Sequence, residues 1–193
     1  TFRAASPTSP TTINLDGTFK PSNFYAYGQA VDVLMIDSYY DSRVKDSYWD
    51  NTLWIPLFAK PTVIYATTLA GTAAAEPNPY HMLLYSNEYR DPITHNIWPF
   101  AAPGSKRVEV YYSLAGGAKG IGYWWYKPGN EFNGVGADSD TARALWKEMG
   151  LLGNEIKTTQ PLLVRSHPVE MALQGSTNVW VKSLAAGTDT IIL

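Results

Sequence analysis

Apolar residues along this chain fall into short continuous runs, separated by stretches whose apolar positions recur at helical spacing. Val31 to Ile36 (VDVLMI), nearly all apolar, Thr62 to Thr67 (TVIYAT) and Gly120 to Tyr126 (GIGYWWY) are of strand length. Such runs read as strands covered on both faces. A shorter β-branched run, Thr11 to Leu15, closes on the turn dipeptide Asp16-Gly17. Between the strands, Pro21 to Gln29 reads as a short aromatic helix or turn. Lys45 to Ala59 reads as a helix with Trp49, Trp54 and Leu57 near one stripe. Ser105 can cap a helix that carries Val108, Tyr111 or Tyr112, and Ala115, ended by Gly116-Gly117. Asp138 or Ser139 opens the clearest helix, with Leu145, Met149, Leu152 and Ile156 on one face and Pro161 closing it. Leu69 to Gly104, with Pro77, Pro79, Pro92, Pro99 and Pro103, reads as a long loop, and loops of that length are mostly functional.

The order is strand–helix four times, followed by strands. From Val169 onward three strand-like runs, Glu170 to Leu173, Asn178 to Leu184 and Thr190 to Leu193, are separated by the Gly175-Ser176 and Gly187 turns. Alternating strands and helices imply a parallel sheet. No Gly-rich phosphate loop follows any strand, which argues against a nucleotide-binding doubly wound sheet. The expected fold class is therefore α/β: a partial TIM (β/α)8 barrel comprising the last four βα units over residues 1–165. The beginning of a C-terminal antiparallel, sandwich-type β-domain follows over residues 166–193. A whole barrel takes about 250 residues. The ends, Thr1-Phe2-Arg3 and Thr190-Ile191-Ile192-Leu193, read as cut. The expected partner is thus the missing N-terminal half of the barrel or a second copy, because half a barrel leaves two unpaired strand edges.

Composition narrows the chemistry. Net charge is −2 and no basic run occurs, which argues against nucleic acid. Aromatics make up 13% of the 193 residues and charged residues only 17%, a balance suited to neutral ligands such as sugars or to an aromatic-rich core. There are no Cys, so thiolate chemistry and disulfides are excluded. No HExxH occurs. His81, His95 and His167 read as solvated or locally bonded, so neither metal nor cofactor is expected. No apolar run is long enough to span a membrane.

Several stretches resemble a known family. Asn14-Leu15-Asp16-Gly17-Thr18-Phe19-Lys20-Pro21, Val31 to Tyr40 and Tyr111 to Tyr126 are similar to the second half of the catalytic barrel in bacterial glycoside hydrolases, including β-galactosidase-like members. The Gly117-Ala118-Lys119-Gly120-Ile121 and Tyr123-Trp124 pattern resembles their last barrel strand, where an aromatic floors the sugar subsite. Leu145 to Leu163 resembles their final helix. The resemblance covers roughly residues 11 to 193. It implies a glycoside hydrolase-type barrel acting on a poly- or oligosaccharide, extracellular or at the cell surface. The alternative is a non-catalytic carbohydrate-binding or scaffold barrel in an extracellular or cell-surface assembly. The resemblance also implies a nucleophilic Glu at the end of the seventh strand and a general acid after the fourth. The matching run here, Thr62 to Thr68, ends in Ala66-Thr67-Thr68 and carries no carboxylate.

Glycoside hydrolysis uses two carboxyl groups, about 5–5.5 Å apart for retention and about 6.5–9.5 Å for inversion. Barrel enzymes place functional residues at the carboxyl ends of strands. By that criterion Asp37 is the first catalytic candidate, although a carboxylate there can also cap the next turn. Glu131, in the loop after the Trp124-Trp125 strand, is the second, or else an ordinary exposed loop carboxylate. Substrate-binding candidates are Asp16, Tyr39, Tyr40, Tyr65, Thr67, Trp124 and Trp125. Trp124 and Trp125 alternate along the strand, so one faces the sugar and the other the core.

Overall fold

The computed structural model describes residues 6–15, 21–38, 60–95, 97–171 and 180–193. Its centre is a four-stranded parallel sheet: β1 (Thr12–Leu15), β2 (Val33–Ser38), β3 (Tyr80–Tyr85) and β6 (Gly120–Trp124), adjacent in that order. Helices α1 (Pro21–Gly28), α2 (Lys60–Ala75), α3 (Pro103–Ala115) and α4 (Asp140–Leu163) follow the four strands in turn. Four strand–helix units are therefore present, as the sequence suggests, but their members differ.

The third unit is the correction. Thr62 to Thr67, expected as a strand, lies inside α2. Its β-branched residues mimic a strand over six positions. Over sixteen, the buried residues Ile64, Thr67, Thr68, Gly71, Ala74 and Ala75 recur at helical spacing, and that longer pattern wins. The true third strand, Tyr80–Tyr85, lies in the stretch expected to be loop. Leu69 to Gly104 is thus not a long loop. It holds the end of α2, then β3, β4 (Asn87–Arg90) and β5 (Ile97–Trp98), and the start of α3. Smaller differences occur at helix ends. Ala102, not Ser105, is the N-cap of α3, and α4 continues two residues beyond Pro161. Ser139 does cap α4, accepting from the Ala142 N–H at 3.2 Å. Gly117, with φ 98°, turns the chain out of α3 where the Gly pair predicts. The helix expected over residues 45–59 lies outside the described residues.

The core lies between the sheet and the helices. Leu34, Ile36, Tyr80, Met82 and Leu84 pack there against Phe24, Ile64, Val110, Leu114 and Leu152, drawn from all four helices. Side chains alternate along a strand. Thr12 and Asn14, then Val33, Met35 and Asp37, then His81, Leu83 and Tyr85, and Gly120, Gly122 and Trp124 therefore share the opposite face. Most of them are only half-buried or exposed. Gly120 and Gly122 confirm this: a Cβ on Gly120 would meet the His81 ring at 2.7 Å, and one on Gly122 would meet Leu83 at 2.7 Å. A doubly wound sheet has helices on both faces. Here the described helices contribute to the core on one.

Two antiparallel sheets complete the structure. β4, β5 and β7 (Phe132–Gly134) pair in the order β5-β4-β7, built from the segments that follow β3 and β6. A second cluster, Phe100, Val135, Ala137, Ala142, Leu145 and Met149, ties these segments to α4. Near the C-terminal end β8 (His167–Val169), β9 (Ser183–Ala186) and β10 (Asp189–Ile192) form the other sheet, in the order β10-β9-β8. Leu184 from β9 joins the main core. No helix among the described residues is long and apolar enough to cross a membrane.

Candidate functional site

The carboxyl ends of the four parallel strands lie along one edge of the sheet, and the candidate site is built there. Asp37 sits near the end of β2, 7% exposed, opposite Leu83 in the register. Its Oδ2 accepts from Asn14 Nδ2 on β1 at 3.0 Å. Beside them Tyr85 ends β3 and pairs in register with Trp124, which ends β6. The Asn87 Nδ2 group donates to Tyr85 Oη at 3.0 Å and to the Glu88 carbonyl at 3.0 Å. The Ser86 N–H donates to the Trp124 carbonyl, so the β3–β6 pairing carries on past the end of β3.

Trp124 ends β6 and Trp125 follows it directly. Tyr123 packs against both core clusters, and burial is the main cause that pushes its phenol pKa up. Trp124 therefore points to the open face, and it is 37% exposed. Its ring meets that of Trp125 at 4.6 Å between centroids, tilted by 39°. Trp125 Nε1 is buried without a hydrogen-bond partner among the described residues. Further rings line the small β5-β4-β7 sheet: Tyr89 and Phe132 lie 4.8 Å apart across β4 and β7, with Phe132 partly exposed. The edge thus carries a carboxylate held by an amide on β1 and β2 and an exposed indole at the end of β6. That combination can orient a polyhydroxylated ligand, with the rings covering C–H faces and Asp37 accepting from hydroxyls.

Other candidates fall elsewhere. Tyr65 is on α2, where its ring meets Trp180 edge-on at 5.3 Å and Lys182 Nζ lies 4.8 Å from its centroid. Thr67, two residues further along the same helix, is fully buried. Both were expected at a strand end, and both leave the site because that strand is a helix. Glu131 is exposed just before β7, tied by its carbonyl to the Arg90 N–H at 2.7 Å. Asp16, Tyr39 and Tyr40 lie outside the described residues. His81 sits deeper on the open face, and partial burial lowers its pKa from 6.5. No group of three or more metal-ligating side chains is assembled among the described residues.

The sequence pattern did not single out Asn14, Tyr85, Asn87, Lys106 or Glu109. Asn14 was legible in principle, as it alternates with Ile13 and Leu15 on a strand. Lys106 and Glu109 stand one helical turn apart on α3, and Lys106 is 0% exposed and Glu109 4%. They form an ion pair, and Lys106 Nζ also donates to the Tyr85 carbonyl. Glu88, three residues beyond Tyr85, is half-buried on β4 opposite Asn133.

No protein-family model matches the chain, and no curated protein sequence does. Among solved structures, the chain is similar to a β-galactosidase from the psychrophilic Marinomonas ef1, with a TM-score of 0.57 and 18% sequence identity. The match covers 80% of this chain and 24% of the β-galactosidase chain. At that identity the likeness shows a shared fold, and this chain spans about a quarter of the length of the protein it matches.

Proposed function

We propose that the chain forms the sugar-facing second half of a glycosidase-type (β/α)8 barrel that hydrolyses a poly- or oligosaccharide. The carrying observation is the Asn14–Asp37 pair at the carboxyl edge of a parallel sheet whose same face carries the partly exposed Trp124, two strands across. The sequential strand order, with the described helices packed against one face, supports a barrel arc over a doubly wound sheet. In this reading β1 and β6, the edge strands among the described residues, pair with four further strands. Those strands come from the same polypeptide or from a second copy. The sheet β8–β10 then opens an appended β-domain.

The corrected third strand also changes the chemistry. The resemblance to barrel glycoside hydrolases implies a carboxylate at the end of the seventh strand. With β3 in that place, the position moves from Thr67-Thr68 to the segment Tyr85-Ser86-Asn87-Glu88, and Glu88 is the carboxylate it contains. Asp37 then binds a substrate hydroxyl, and Glu88 is the nucleophile candidate.

The test is hydrolysis of a panel of β-galactosides and plant and bacterial polysaccharides by the full-length protein. The expected result is release of reducing sugar, abolished by Glu88→Gln with folding intact. Binding of glycans without any release would instead favour a non-catalytic sugar-binding barrel. Absence of both binding and release would overturn the proposal.

A further inference from the structure

Lys106 and Glu109 have no place in the chemistry just proposed, yet they are the most deeply buried ionisable pair among the described residues. Taking two charges out of water is costly, and apolar residues of the same volume in such places are often as stable or more so. What the pair holds is specific. Lys106 Nζ donates to the carbonyl of Tyr85, the last residue of β3. From there the chain leaves the parallel sheet through Ser86, whose N–H goes to the Trp124 carbonyl, and Asn87, whose amide holds the Tyr85 phenol. One buried ammonium on α3 therefore anchors the segment that joins Tyr85, Trp124 and Asn87. Glu109, one turn further along the same helix, supplies the counter-charge. Tyr123 on β6 feels both: its phenol pKa is raised chiefly by burial and moved in opposite directions by Lys106 and Glu109.

We propose that Lys106, with Glu109 as its counter-ion, is a positioning residue that fixes the exit of β3 and so the geometry of the sugar-facing edge. The role rests on the glycosidase reading for its functional consequence, but the anchoring itself does not. The paired substitution Lys106→Met with Glu109→Leu removes both charges and keeps the volume. In the full-length protein the melting temperature then stays close to that of the wild type. Amide hydrogen exchange at Ser86 and Asn87 rises by about tenfold or more, while β1 and β2 amides keep their protection. With a hydrolysed oligosaccharide, kcat falls by about 10- to 100-fold and KM changes by less than about twofold.

Unchanged exchange at Ser86 and Asn87 would overturn the proposal. So would exchange accelerated equally throughout the sheet, which would mark the pair as general structural support. An unchanged kcat in a variant with loosened exchange would overturn the functional part alone. If the wild type hydrolyses nothing, the glycosidase reading fails, and the exchange measurement still decides the anchoring. Should the paired variant not fold, Glu109→Gln, which keeps the shape and removes only the counter-charge, is read by the same local exchange criterion.

Discussion

Asn14 Nδ2 on β1 donates to Asp37 Oδ2 on β2 at 3.0 Å, one diagonal step off the register in which Asn14 faces Met35. Diagonal neighbours on one face of a sheet are within reach of each other's side chains. The bond fixes one oxygen of the carboxylate on the open face. Replacing Asp37 with Asn is expected to lower turnover by about 10²- to 10⁴-fold, the range for a lost acid–base or charged substrate contact. Asn14→Ala removes one hydrogen bond to the carboxylate and is expected to cost about 1 kcal/mol in a urea titration. Equal turnover in Asp37→Asn and the wild type would remove Asp37 from the site.

The two tryptophans should separate by their effects. Trp124→Ala is expected to weaken oligosaccharide binding by about 0.5–1.5 kcal/mol, the scale of one ring–ligand contact, with little change in stability. Trp125 lies with Nε1 buried, so Trp125→Ala is expected to lower stability by about 3 kcal/mol. Isothermal titration and chemical denaturation of both variants check the split. The reverse pattern would mean that β6 is turned over.

Tyr65 provides a control from the other side of the sheet. Its edge-on contact with Trp180 predicts that Tyr65→Ala costs stability while leaving sugar binding and turnover alone. A specific loss of binding would restore Tyr65 to the site and contradict its position on α2.

A pH dependence follows from His81. Burial lowers its pKa in the folded protein below the ordinary 6.5. Between the folded value and 6.5 the unfolded chain binds more protons than the folded one, so stability falls as pH drops through that window. Above 6.5 the contribution is fully retained. The urea midpoint of the wild type is expected to fall more steeply than that of His81→Gln as pH goes from about 7.5 to 5. Parallel curves would show that His81 is not the group responsible.

Much of this architecture was legible in the residues, and the failures have physical causes. Val31 to Ile36 and Gly120 to Tyr126 read correctly because they are continuous apolar runs bounded by turns. Asp37 and Trp124 do stand near strand ends, as expected, but the sequence does not separate Trp124 from Trp125. The third strand was missed because Tyr80–Tyr85 contains His81 and follows Pro77 and Pro79, while Thr62 to Thr67 is β-branched enough to imitate a strand. Only the helical recurrence of buried positions from Ile64 to Ala75 separates the two, and it extends well beyond the six-residue window. Lys106 was not legible because burial of a lysine depends on what α3 packs against, which its own sequence does not encode.

The most direct test of a sugar-facing edge is a crystal structure of the full-length protein with a bound galactoside or oligosaccharide. The account predicts a sugar ring against the face of Trp124, a hydroxyl within hydrogen-bond reach of Asp37, and neighbouring strands paired along β1 and β6. A sugar bound elsewhere, or a closed sheet whose carboxyl edge is filled by protein side chains, would contradict it.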